Sequence, residues 1–156
     1  MGEYRNNDAE VWQQCDRRIQ PGAIAPNILM PLLFRSSSSN ADSILAARHV
    51  LLFWASWCGD CKAMTDSVRS FQQCHSDIPW VTVSLDYEAS KAREYIREHH
   101  LQGLHFFDGR DWRGDACTDY AVALHGIPYI IYIDDSGRIR WTGSSMQQLE
   151  DVSAAH

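Results

Sequence analysis

At 156 residues the chain has room for one domain built around one core, and two domains would each be small. A composition of 45% hydrophobic and 22% charged residues is that of an ordinary globular protein and excludes a disordered chain. The formal net charge is −6, with no Lys/Arg cluster, which excludes the electrostatic footprint of nucleic-acid binding or of an anionic membrane surface and leaves proteins and small molecules as partners.

Val11, Trp12, Cys15 and Ile19 recur at helical spacing, so residues 8–19 are expected to form a helix, stopped by Pro21 and Gly22. This divides the chain into an N-terminal helical extension, residues 1–21, and a main domain, residues 22–156. The N-terminus has no apolar h-region, and the longest apolar runs, 51–55 and 129–133, are strand-sized, so neither a signal peptide nor a membrane span is visible in this stretch of sequence. Residues 23–34, AIAPNILMPLLF, mix prolines with alternating apolar residues and predict an edge strand or hairpin, and RSSSSNADS predicts a polar loop.

The near-continuous apolar run HVLLFWA predicts a strand buried on both faces of a sheet. Beyond it Cys61, Met64, Val68 and Phe71 recur at intervals of three and four, predicting a helix from Asp60 onward. WVTVSLD is a second strand, and EASKAREYIREHH a helix with Ala89, Ala92, Tyr95, Ile96 and His99 on one face. GLHFFDGRDWRG is compatible with a short strand before a Gly-rich turn, and DACTDYAVALHG with a helix closed by Gly126. Pro128 precedes YIIYIDDSGRIRWTG, a hairpin turning at 134–137, and Ser145 with Gln148 signals a capping box for a last helix. The alternation predicts an α/β fold with a mixed central β-sheet flanked by helices.

Five cysteines are too few and too scattered for a disulfide scaffold, and their number is odd. Cys15, Cys74 and Cys117 fall at apolar-periodic positions and are expected in the core. Cys58-Gly59-Asp60-Cys61 lies at a strand-to-helix junction, where unpaired N–H groups and the helix dipole favour a thiolate. Cys58, ahead of the first turn, is expected exposed, with Gly59 leaving its approach open. Cys61, one turn in, is expected shielded but within reach of the Cys58 sulfur. One thiolate attacking a disulfide would form a mixed disulfide, and the second cysteine would resolve it. A zinc site needs four ligands and only one cysteine knuckle exists, while His99 and His100 point apart on a helix. No metal and no cofactor beyond a redox-active Cys58–Cys61 disulfide is therefore expected, with a purely structural disulfide as the remaining alternative.

FWASWCGDC resembles the F-W-A-x-W-C-x-x-C motif of the TlpA/ResA-like thiol-disulfide oxidoreductases in the thioredoxin superfamily. HGIPYIIYIDDSGRI is similar to that family's G-[IV]-P-T-x-x-x-[IV]-D-x-x-G-x-[IV] segment, and PGAIAP to its G-x-x-A-P opening. The resemblance runs from about Gly22 to the C-terminus. It implies a thioredoxin-like fold with an N-terminal extension and an insertion after the second central strand, within residues 86–109. It also implies that Cys58 attacks, Cys61 resolves, and Pro128 faces them after a cis Ile127–Pro128 bond. The backbone of Ile127, Pro128 and Tyr129 would pair with an extended substrate segment. Trp57 would form an apolar rim beside the catalytic sulfur, and Trp54 would lie in the core. The implied activity is reduction or exchange of disulfides in protein substrates with a thiol electron donor, in a bacterial protein working outside the cytoplasm.

Four positions depart from that pattern. Leu52 stands where thioredoxins carry a buried carboxylate, and Tyr129 where a threonine usually follows the cis-proline. Asp66 replaces a helix proline, which predicts a straighter active-site helix. Asp60 replaces proline between the cysteines, so its charge should oppose a second negative charge on Cys58 and make the dithiol a stronger reductant. Two alternatives carry less weight. A peroxiredoxin-like thiol peroxidase would need T/S-x-x-C, and Ala55 holds that place; a non-catalytic binding or scaffold domain would not need both cysteines.

Overall fold

The structure is a computed structural model that describes residues 6–35 and 40–155. Its frame is a five-stranded sheet in the order β3-β2-β1-β4-β5. The central strand β1 (His49–Trp54) is buried at every position. Both of its faces are covered, which is why it reads as a near-continuous apolar run. β1 pairs in parallel with β2 (Trp80–Ser84), Val50 opposite Trp80, and antiparallel with β4 (Tyr129–Ile133), Phe53 opposite Tyr129. β3 (Leu104–Phe107) continues the sheet in parallel beyond β2, and β5 (Ile139–Gly143) continues it antiparallel beyond β4. The fold is thus the thioredoxin-like α/β architecture expected from the sequence, and the segment after β2 holds α5 (Ala89–His99) and β3.

The helices are α1 (Asn6–Arg18), α2 (Ala41–Ala46), α3 (Gly59–Ala63), α4 (Thr65–Cys74), α5, α6 (Asp115–Asp119), α7 (Val122–His125) and α8 (Met146–Ala155). α1 buries Trp12 and packs against α6 and α7, and Ile19, just past its end, is buried as well. α8 begins as the capping signal predicts, with the Gln148 N–H donating to the Ser145 hydroxyl at 3.2 Å. No helix among the described residues is long and apolar enough to cross a membrane.

Five local expectations are corrected. Residues 23–34 form no strand: isolated bridges join Ile24 to Arg138 and Leu32 to Phe106, so the segment clips one sheet edge and then the other. Pro26 and Pro31 have no N–H to give a ladder, and the chain crosses the sheet end with Ile28 and Leu33 buried beneath it. The end of the predicted polar loop is helix α2, whose Ile44 and Leu45 pack on the core, while its residues 36–39 lie outside those described.

The active-site helix is not straighter but broken at Met64, where φ is −97° and ψ 1°. The Thr65 hydroxyl donates to the Cys61 carbonyl at 3.1 Å, a back-bond of the kind that bends helices without any proline. The third predicted helix is likewise divided into α6 and α7 by Ala121, held at φ 51°. Of the three outlying cysteines only Cys117 is buried; Cys15 is half-buried and Cys74, the last residue of α4, is exposed, because helical periodicity loses its meaning where the helix runs out past the core.

Candidate active site

Strand β1 ends at Trp54, and the turn that follows sets the two cysteines at the edge of the sheet. That turn is anchored by a residue the motif does not contain. Asp86, just past β2 and 2% exposed, accepts the Ser56 N–H at 3.1 Å on each carboxylate oxygen, together with the Ser56 hydroxyl. It also accepts the Ser84 hydroxyl at 2.6 Å, and Ser84 accepts the Asp86 N–H at 3.0 Å. A buried carboxylate that receives three donors replaces the water it lost, and in doing so ties the loop before Cys58 to the end of the neighbouring strand. The parallel register sets Trp54 beside Ser84, which brings the two loops together. Only that pairing could have singled out Asp86.

Cys58 caps α3. Its sulfur accepts the Cys61 N–H at 3.1 Å, so the first helical donor is aimed at the candidate nucleophile. As a thiol, Cys58 donates to the Ile127 carbonyl at 3.7 Å. The Ile127–Pro128 peptide bond is cis, and the loop that carries it meets the cysteine pair across the site. Exposure does not separate the two sulfurs as expected: Cys58 is 6% and Cys61 7% exposed. The Ile127 loop closes over Cys58, and sequence spacing carries no information about that distant segment. Position separates them instead. Cys61 packs inward, and its thiol is pushed well above the ordinary range, first by burial and then by its hydrogen bond with Cys58, with the Cys58 and Asp60 charges adding and a backbone bond at Ala55 opposing.

The remaining expected site residues surround this pair. A Cβ on Gly59 would meet nothing within 4 Å, so the approach on that side is open. Asp60 is exposed on the first turn of α3. Trp57 is 45% exposed and stacks on Tyr87, 61% exposed, with ring centroids 6.4 Å apart and planes at 23°. These two aromatics flank the Ser56–Asp86 anchor, one on each loop. Trp54 is buried in the core. Tyr129 is 3% exposed and its ring lies against His125 and Phe53, so its backbone alone can border the cleft. Leu52 is buried in the interior near Cys61 and offers no acid there.

A groove of about 470 Å³ runs beside the cysteine turn, lined among others by Asp60, Met64, His125, Ile127, Pro128 and Met146. His125 was not singled out by sequence reasoning; its place three residues before Pro128 was the available signal. Among the described residues no group of three or more His, Cys, Asp or Glu side chains could hold a metal ion. The arrangement can hold a thiolate, leave one side of it open to a second sulfur, and keep a second thiol alongside.

The thioredoxin family model matches residues 34–100. No curated protein matches the chain. Among solved structures, a DsbE-type thiol:disulfide interchange protein from Chlorobium tepidum is 22% identical, with a TM-score of 0.70 over 88% of this chain and 97% of its own. The thioredoxin domain of a thiol-disulfide oxidoreductase from Bacteroides vulgatus is 19% identical, with a TM-score of 0.72 over 87% and 96%. A secreted disulfide oxidoreductase from Mycobacterium tuberculosis is 17% identical, with a TM-score of 0.57 over 74% and 86%. At these identities the likeness is one of fold.

Proposed function

We propose that the chain is a thiol-disulfide oxidoreductase of the thioredoxin superfamily that uses Cys58 and Cys61 on disulfides in protein substrates, a reading supported by the thioredoxin family model over residues 34–100 and by the fold it shares with its structural neighbours. The observation that carries the reading is the Cys58 sulfur itself, aimed at by the Cys61 N–H at 3.1 Å and bordered by the carbonyl that precedes the cis-proline. A backbone donor at that distance stabilises the sulfur as an anion more than as a thiol.

In the proposed cycle the Cys58 thiolate attacks one sulfur of a substrate disulfide. A new S–S bond joins protein and substrate, and the other substrate sulfur leaves as a thiolate that takes a proton. Cys61 then gives up its proton and attacks the Cys58 sulfur. The Cys58–Cys61 disulfide forms, the mixed disulfide breaks, and the second substrate sulfur leaves. The substrate has gained two electrons and the protein has lost them, and an external dithiol returns the pair to its reduced form. The raised Cys61 thiol suits the second role, since it stays protonated until the mixed disulfide is in place. The open side at Gly59 and the exposed ring of Trp57 would receive the substrate chain, and the backbone at Ile127 would pair with it as an added strand.

Placement in the TlpA/ResA-like group and work outside the cytoplasm are part of the same proposal, supported by the F-W-A-x-W-C-x-x-C resemblance and by a secreted structural neighbour. The test is a pair of variants. Cys61→Ser should accumulate covalent adducts with substrate proteins that dithiothreitol releases, and Cys58→Ser should abolish insulin reduction. Insulin reduction that survives Cys58→Ser would overturn the reading.

A further inference from the structure

Helix α1 lies outside the stretch matched by the thioredoxin family, yet one of its side chains reaches the loop that faces the cysteines. The Asp16 carboxylate sits 2.6 Å from Nε2 of His125, across 109 residues of sequence. His125 ends α7, and Gly126 at φ 78° turns the chain directly into Ile127 and the cis-proline. The imidazole also lies flat on Tyr129, with ring centroids 4.5 Å apart and planes at 4°. It is therefore held in its plane by Asp16 and on its face by Tyr129. Its exposed part contributes to the groove that Asp60 and Met64 border from the cysteine helix. A volume of about 470 Å³ suits a few side chains of a bound polypeptide.

The Asp16–His125 contact has little to do for the fold. Both side chains are about one-third exposed, and Trp12 and Ile19 already bury α1 against the domain. Orientation is what the pair adds. A histidine at the end of a four-residue helix, beside a glycine, has many rotamers open to it unless a partner selects one. The Asp16 carboxylate accepts the Nε2 proton, which sets the ring edge and with it the wall of the groove.

We propose that Asp16 is a positioning residue for substrate docking: it holds His125 as one wall of the groove beside Cys58, so that the N-terminal helix takes part in recognising an extended, disulfide-bearing polypeptide. The proposal rests on the oxidoreductase reading above. It concerns the chain that flanks the substrate cysteine, so a small disulfide with no flanking chain should not sense it.

Asp16→Ala, His125→Ala and the double variant are compared with the unmodified protein on insulin and on hydroxyethyl disulfide, alongside thermal unfolding. Each single variant is expected to raise KM for insulin about fivefold with kcat unchanged, and the double variant is expected to be no worse than either single one. In Asp16→Ala, turnover of hydroxyethyl disulfide should stay at the level of the unmodified protein. Asp16→Asn, which keeps an acceptor oxygen, should recover part of the loss. An unchanged insulin KM in both single variants would overturn the proposal. So would an equal fall on both substrates, which marks a structural effect, or additive losses in the double variant. If the unmodified protein reduces neither disulfide, the oxidoreductase reading itself has failed, and that result is distinct from a lost KM effect.

Discussion

Asp60 occupies the place where the resembling family carries proline, and its carboxylate is exposed beside two buried sulfurs. Its charge reaches the inner thiol: burial is the largest cause of the upward push on Cys61, the Cys58 hydrogen bond comes next, and the Asp60 charge adds to both. By disfavouring a thiolate, that charge destabilises the reduced form relative to the disulfide, which lowers the reduction potential and makes the pair a stronger electron donor. Asp60→Asn should therefore raise the reduction potential by about 10–30 mV, where about 30 mV corresponds to a tenfold change in the equilibrium constant. Equilibration against a glutathione redox buffer measures it, and an unchanged potential would remove Asp60 from the tuning of the pair. At this scale the cysteines were legible because their short spacing carries their chemistry, and Pro128 because HGIPYIIYIDDSGRI resembles a family segment. Asp86 and His125 were not, since each acquires its role from a partner 30 or 109 residues away.

Elements were legible where a local pattern sufficed. The all-buried β1 and β2 read as apolar runs, and the β4–β5 hairpin was announced by its turn, where Gly137 adopts φ 79° and Asp134 accepts the N–H groups of Ser136 and Arg138. Junctions between elements were not legible. The break at Met64 follows from one Thr65 hydroxyl, and the crossing of 23–34 follows from which sheet edges it meets. The junction with most at stake is the one Asp86 makes between β2 and the Cys58 turn. Asp86→Ala would leave the buried Ser84 hydroxyl and the half-buried Ser56 donors without their acceptor, so unfolding stability should fall by about 2 kcal/mol. The released turn should also cost roughly tenfold in kcat/KM for insulin, because small misplacements of reacting groups are expensive. Asp86→Asn, which keeps one acceptor oxygen, should fall between. Urea unfolding and initial rates measure both effects, and a fully active, fully stable Asp86→Ala variant would show that the turn is held by other means.

For the whole molecule, the buried histidines set a pH limit. His105 on β3 lies opposite Thr82 in the β2–β3 register, 2.7 Å from its hydroxyl, and is 4% exposed. Burial lowers its pKa from the ordinary 6.5 to about 4, against the smaller upward pull of the Leu101 carbonyl. His49 is shifted down as well, again by burial, with its Ala47 carbonyl bond opposing. A folded value below the unfolded one means that folding favours the neutral ring. The stability this confers is fully present above pH 6.5 and is lost as pH falls towards 4. His105 alone should account for roughly 3 kcal/mol across that window. Urea midpoints measured from pH 7.5 to 4.5 should decline accordingly, and His105→Gln should flatten the decline; a flat profile in the unmodified protein would refute it.

The sequence alone determined the α/β class and the strand-to-helix setting of the cysteine pair, because periodicity and short motifs record the burial of each element and the chemistry of its ends, and its resemblance to a family segment pointed to Pro128 as the residue facing the pair. The tertiary structure alone decided the exposure of Cys58, the inward turn of Tyr129, the anchoring of the active turn by Asp86 and the reach of α1 to His125. Each of these depends on which distant segments share a strand edge or a cleft, and local sequence does not encode that pairing.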